Sequence, residues 1–83
     1  MKIALITGGA KRIGAQIVKT LHSNNYDVII HYRNSKKEAQ ELATLLNNKR
    51  TNSATIVHAE LTNIGSINKL KRSIPKLDLL VNN

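Results

Sequence analysis

The 83-residue sequence contains no cysteine, which excludes disulfides and thiolate metal sites. It also lacks any apolar run near the roughly 20 residues that a membrane-spanning helix needs. Residues 1–15 show neither the apolar region nor the cleavage site of a secretory signal. The three histidines have no cysteine or carboxylate at metal-ligand spacing, so no metal site is predicted. These absences favour a soluble, cytoplasmic protein with a small core and no covalent support.

Acidic residues are scarce: 5 Asp and Glu stand against 13 Lys and Arg, a formal net charge of +8. Such a surface attracts partners that carry phosphate. The basic residues are nevertheless scattered in runs of at most two, and the only aromatic residues are Tyr26 and Tyr32. Nucleic-acid sites combine clustered cations with stacking platforms. The composition therefore favours a generally basic, solvated surface over a nucleic-acid site.

Hydrophobic periodicity alternates between strand and helix along the chain. Short apolar runs predict strands at residues 3–7, 28–31, 54–59 and 77–81. Between them, helical spacing places apolar residues on one face: Ile13, Ile17, Val18 and Leu21 in the first helix, Ala39, Leu42, Ala43, Leu45 and Leu46 in the second, and Ile64, Ile67, Leu70 and Ile74 in the third. Ser35 with Glu38 predicts a capping box at the start of the second helix, and Pro75 ends the third.

The order β-α-β-α-β-α-β predicts one parallel sheet with helices on both faces, because crossover connections are right-handed. In a doubly wound sheet the strand order is 3-2-1-4, which leaves the fourth strand at an edge. That unpaired edge is a candidate for self-association. The fold class predicted is therefore α/β, a Rossmann-like sheet of four strands and three helices over residues 1–83.

The turn after the first strand carries the main motif. Residues 7–14 read Thr-Gly-Gly-Ala-Lys-Arg-Ile-Gly. Glycines here let the backbone reverse tightly and approach a pyrophosphate, which then lies at the positive end of the following helix. The spacing resembles the Thr-Gly-x-x-x-Gly-x-Gly pattern of the short-chain dehydrogenase/reductase family, with Arg12 where the middle glycine is usual. The resemblance implies a nicotinamide-dependent oxidoreductase.

Arg12 further resembles the pteridine reductase and dihydromonapterin reductase branch. In that branch the corresponding side chain reaches the cofactor phosphate and the edge of the pterin, and a guanidinium suits phosphate because its planar fork stays charged. The alternative is an exposed first-turn residue, although a cation there opposes the helix dipole.

The second strand ends in His31-Tyr32-Arg33-Asn34-Ser35, a string that also resembles this branch. NAD-specific domains place an acidic residue here to bond the ribose 2′-hydroxyl. This sequence has none, and Arg33 with the start of a helix suits a 2′-phosphate instead. NADP(H) is therefore the predicted cofactor. Lys11 is either a further cation of this site or a solvated lysine.

Two later segments extend the resemblance. Glu60-Leu61-Thr62 is similar to the family segment whose acidic residue accepts a bond from adenine, and a capping or surface role is the alternative. Asn82 begins the family's Asn-Asn motif, which lines the cofactor. The predicted cofactor-binding residues are then Gly8, Lys11, Arg12, Ile13, Gly14, His31, Tyr32, Arg33, Asn34, Ser35, Glu60, Leu61 and Asn82.

The family's Tyr-x-x-x-Lys pair, in which the lysine lowers the pKa of the tyrosine acid, has one match, Tyr32 with Lys36. We reject it, because these residues lie at a strand end and a helix start near the adenosine, so no catalytic residue is assigned. The sequence stops inside the Asn-Asn motif, which predicts an incomplete, inactive cofactor-binding part of a reductase acting on a pterin or related carbonyl or imine. The alternative is a small, non-catalytic module that binds nucleotide or nucleic acid through its basic surface.

Overall fold

The computed structural model describes all residues from 1 to 83. Its elements follow the predicted order. The strands are β1 (Lys2–Ile6), β2 (Tyr26–Tyr32), β3 (Ala54–His58) and β4 (Leu79–Val81), and the helices are α1 (Arg12–Ser23), α2 (Lys36–Lys49) and α3 (Ile64–Arg72). None of the three helices combines the length and the apolar character needed to cross a membrane.

The four strands form one parallel sheet in the order β3-β2-β1-β4, which confirms the predicted topology. Ala4 of β1 is paired with Val28 on one side and with Leu79 on the other. The central strand is thus β1, and β4 forms one edge. In a parallel sheet the carboxyl ends of all strands lie at the same edge, so the residues that follow β1, β2, β3 and β4 lie close together there.

The main core lies on the face of the sheet that α1 and α2 cover. Twelve buried residues form it, and the fully buried side chains among them include Ile6, Ile30, Val18 and Leu46. Strand residues alternate between faces, so Leu5 points away from this core. Leu70, the only buried residue of α3, also lies outside the twelve-residue cluster. One face therefore carries most of the hydrophobic stabilisation.

Three apolar residues predicted on buried helix faces are exposed. Ile13 and Ile64 are 72% and 77% exposed, and each lies in the first turn of its helix. Ile13 lines an open apolar groove beside Val81 of the edge strand β4, where no further strand covers it. Leu45 is 45% exposed because Leu42 and Leu46 face the core, which turns Leu45 toward the groove between α1 and α2. The predicted face was wrong at these positions.

The capping box predicted at Ser35 and Glu38 is also wrong. Ser35 makes no capping hydrogen bond with its side chain, and the Glu38 carboxylate lies 3.4 Å from Lys11 Nζ instead. A capping box is found at α3, where the Asn63 side chain accepts from the Ser66 N–H and the Ser66 hydroxyl accepts from the Asn63 N–H. That helix ends at Arg72, before Pro75. The predicted strands start or end one to two residues away from the observed ones.

A buried polar network closes the end of the sheet opposite the motif-bearing turns. His22 Nε2 lies 2.7 Å from Ser53 Oγ, and both residues are buried. The Arg50 guanidinium donates to the carbonyls of His22 and Tyr26 and lies 3.3 Å from an Asp27 carboxylate oxygen. The network ties the end of α1 to the starts of β2 and β3.

Candidate cofactor site

The turn after β1 is held by backbone hydrogen bonds to its two neighbouring strands. The N–H of Thr7 donates to the Val81 carbonyl, and the N–H of Gly9 donates to the His31 carbonyl, both at 3.0 Å. Gly8 has a φ of +60°, the left-handed region that glycine adopts without steric cost. Gly14 is equally constrained, since a Cβ there would collide with the Gly8 carbonyl oxygen. The turn requires glycine at both ends.

The same turn presents a row of free backbone donors. The N–H groups of residues 12–14, in the first turn of α1, donate to no acceptor within the protein, and the first helical bond of α1 comes from Ala15 to the Lys11 carbonyl. Three consecutive free N–H groups at the positive end of a 12-residue helix form a site for an anion.

Arg12 occupies the turn in an unusual conformation. Its φ is +53°, although arginine has a Cβ and glycine is the residue usually found in this region. Holding a non-glycine residue there costs on the order of 1–3 kcal/mol, and such strain is concentrated at functional sites. Its side chain is exposed at the first turn of α1. Ile13 is exposed beside it, whereas Gly14 is buried.

A cavity of about 200 Å³ lies between the glycine turn and the start of α2. It is lined by Gly8, Ala10, Lys11, Tyr32, Arg33, Asn34 and Ser35. No carboxylate lines it, while two cations do. Because Ser35 does not cap α2, the N–H groups of residues 35–37 also lack a protein acceptor. The cavity therefore combines positive charge with free donors.

Both cations of this cavity contact an acidic residue. Lys11 pairs with Glu38, and the Arg33 Nε lies 4.0 Å from a Glu60 carboxylate oxygen. The pKa of Glu38 is lowered, first by a hydrogen bond with its own backbone and then by Lys11, so the carboxylate is charged at neutral pH. All four side chains are about half exposed, and exposed pairs contribute about 0–1 kcal/mol. Either cation can therefore turn to a phosphate at little cost.

A second cavity, of about 210 Å³, adjoins the first, and Gly8 and Arg33 line both. It is lined by Thr7, Gly8, His31, Arg33, Leu61, Ile67, Asn82 and Asn83. Thr7 holds two other lining residues in place, because its hydroxyl lies 3.1 Å from Asn82 Oδ1 and accepts the Asn83 N–H at 2.9 Å. The sequence analysis missed Thr7 and Asn83, although both stand inside the motifs that it used.

The structure brings most of the predicted site residues together. Nine of them line the two joined cavities: Gly8, Lys11, His31, Tyr32, Arg33, Asn34, Ser35, Leu61 and Asn82. Arg12, Ile13 and Gly14 lie in the first turn of α1, alongside the free donors. Glu60 lines neither of these cavities, although its carboxylate lies 4.0 Å from Arg33 Nε, and it lines a third cavity, of about 360 Å³, with residues of α3.

The match to known sequences is consistent with this geometry. A family model described as short chain dehydrogenase matches residues 2–83. The chain belongs to the short-chain dehydrogenase/reductase family. Its glycine turn follows β1, as the family resemblance implied, and its sheet has the order predicted for a doubly wound fold.

Several members of the short-chain dehydrogenase/reductase family are similar to this chain. Pteridine reductase 1 of Leishmania tarentolae is 43% identical over 75 residues, which are 88% of this chain and 26% of the relative. The uncharacterized oxidoreductase YmfI of Bacillus subtilis is 36% identical over 83 residues, 99% of this chain and 34% of the relative. The hydroxynaphthalene reductase arp2 of Aspergillus fumigatus is 35% identical over 86 residues, with shares of 99% and 31%. The chain thus spans about a quarter to a third of the length of these relatives.

Proposed function

We propose that this chain binds NADP(H) and forms the cofactor-binding part of a reductase that acts on a pterin or a related carbonyl or imine. The observation that carries the proposal is the cavity at the start of α2, which has Lys11 and Arg33 in its lining and no carboxylate. NADPH, when bound, supplies the hydride that such a reductase transfers.

The proposed pose places the pyrophosphate at the start of α1. The free N–H groups of residues 12–14 donate to it, and the glycines at positions 8 and 14 let the turn fold tightly enough to present them. Arg12 faces the same end of the helix and supplies a cation there. The adenosine then lies in the cavity lined by Leu61 and Asn82.

The preference for NADP(H) over NAD(H) rests on the charge of the 2′-phosphate. An acidic residue lining the cavity would accept a ribose hydroxyl and repel a phosphate, and here the lining offers Arg33, Lys11 and the N–H groups of residues 35–37 instead. Each charge-assisted hydrogen bond contributes about 1.5–3 kcal/mol. One such bond is enough for a discrimination of tenfold or more.

Pterin reduction is proposed from the similarity to pteridine reductase 1 together with Arg12. An arginine in place of the usual glycine carries a cost in backbone strain, and a ligand contact explains why the strain is kept. The residues of this chain bind and orient the cofactor, and we assign none of them a role in proton transfer.

The experiment that tests the proposal is a titration of the ¹⁵N-labelled chain with NADP⁺, followed by amide chemical shifts. We expect the largest changes at residues 10–14 and 33–37, and smaller ones at the same turn on titration with NAD⁺. A matched control is ATP at the same concentration, which carries more phosphate charge without a 2′-phosphate. Changes confined to the basic residues of α3, or equal changes with all three nucleotides, would contradict the proposal.

A further inference from the structure

The buried imidazole of His31 has both ring nitrogens engaged by backbone groups. The Gly8 N–H donates to Nδ1 at 3.0 Å, and Nε2 lies 2.7 Å from the Ala59 carbonyl oxygen. An N–H can only donate and a carbonyl oxygen can only accept, so the ring is neutral with its proton on Nε2. With 5% exposure and no free nitrogen, the ring has no polar atom left for a ligand.

The two bonds join segments that are distant in sequence. Gly8 belongs to the turn after β1, and Ala59 directly follows β3, while His31 lies near the end of β2 between these strands. The backbone carbonyl of His31 also accepts the N–H of Gly9, so one residue holds two consecutive N–H groups of the glycine turn. This fixes the turn relative to the loop that continues into Glu60 and Leu61.

We propose that His31 is a positioning residue, which sets the distance between the phosphate-binding turn and the adenosine-binding loop. This inference rests on the proposed function and assigns His31 a role other than that of a direct cofactor ligand. His31 lines the second cavity together with Gly8 and Leu61. When the ring is removed, the free N–H groups after Gly8 lose their fixed orientation, and the entropy of ordering them is added to the cost of binding.

Three variants separate the two bonds. In His31→Asn, the amide oxygen reaches about the position of Nδ1 and retains the bond from Gly8. In His31→Gln, the longer side chain places its amide nitrogen near Nε2 and retains only the bond to Ala59. His31→Leu removes both. For NADPH we expect the dissociation constant to rise about threefold for Asn and for Gln, each of which loses one of the two bonds, and roughly tenfold or more for Leu, which loses both.

The matched control is His22→Leu. His22 is also buried and bonded through Nε2, but it lies at the opposite end of the sheet. Its loss destabilises the chain without touching the glycine turn, so the NADPH affinity of the folded fraction should remain at the wild-type value. An equal loss of affinity in His22→Leu and His31→Leu would show a general effect of destabilisation and would overturn the inference.

The wild-type chain offers a readout that a merely packed histidine would not give. In a ¹⁵N-labelled sample we expect a scalar coupling across the hydrogen bond from the Gly8 amide to Nδ1, with the ring in the Nε2–H tautomer. Its absence, or the opposite tautomer, overturns the inference even if a variant fails to fold. Failure of wild type to bind NADPH refutes the proposed function and, with it, the role of His31 in binding, while the coupling still reports the contact. Binding by wild type and His31→Leu with equal affinity refutes the inference alone.

Discussion

Replacement of Arg12 by glycine should raise stability and weaken cofactor binding at the same time. At φ +53° the arginine carries strain on the order of 1–3 kcal/mol, which glycine removes. Glycine also makes the unfolded chain more flexible, at a cost of about 0.5–1 kcal/mol. We therefore expect Arg12→Gly to increase the free energy of unfolding, by up to about 2.5 kcal/mol.

The same substitution should make the free energy of NADPH binding less favourable. Loss of one charge-assisted bond to phosphate, about 1.5–3 kcal/mol, weakens the binding of NADPH by a factor of roughly 10–150. Urea unfolding measures the first effect and isothermal titration calorimetry the second. If Arg12 is only an exposed surface residue, the gain in stability remains but the affinity for NADPH does not fall.

Asn52→Gly is the matched control for this pair of measurements. Asn52 has a φ of +56°, nearly that of Arg12, and lies between α2 and β3. Because asparagine tolerates this region better than arginine, the gain in stability should be smaller, and NADPH binding should not change. Lower stability of Arg12→Gly, or unchanged NADPH affinity, would refute the reasoning that a ligand contact maintains the strain.

Three further outcomes follow from the structure. Glu38→Gln should free Lys11 and tighten NADPH binding roughly two- to fivefold in calorimetry, whereas Glu41→Gln, on the same helix, should leave it unchanged. Gly14→Ala should abolish NADPH binding, because its methyl group would collide with a carbonyl oxygen of the turn, and wild-type affinity would contradict this contact. The pKa of His22 is lowered from 6.5, first by burial, so the unfolded chain binds its proton at higher pH than the folded chain. Stability should therefore be full above about pH 6.5 and fall as the pH drops below it, with a smaller decline in His22→Asn; pH-independent urea midpoints would refute this.

The order and topology of the elements could be predicted because period and turn composition are local signals. The Val28–Ile30 run and the glycine-rich turn are enough to define a βαβ unit, and crossover handedness then fixes the sheet order. The exposure of Ile13 could not be predicted in the same way. Helical spacing says which face a residue lies on, but not how far the sheet extends beneath that face.

Most of the predicted site residues lie together in the structure, yet the two hydrogen bonds of the His31 ring could not be predicted from the sequence. Its bonds join residues 23 and 28 positions apart, and only the paired strands bring them within 3.0 Å. The capping box predicted at Ser35 and Glu38 is absent for a related reason. Lys11, which lies in the turn after β1, pairs with the Glu38 carboxylate. The strained φ of Arg12, in contrast, follows from a local signal, an arginine at a glycine position of the family motif.

The proposed function depends most directly on a preference of the cavity at the start of α2 for a 2′-phosphate. The measurement that tests it is a pair of calorimetric titrations of the wild-type chain, with NADPH and with NADH under identical salt and pH. Because the two ligands differ only in this phosphate, we expect NADPH to bind at least about tenfold more tightly. Equal affinities, or tighter binding of NADH, would contradict the assignment of the cavity at the start of α2.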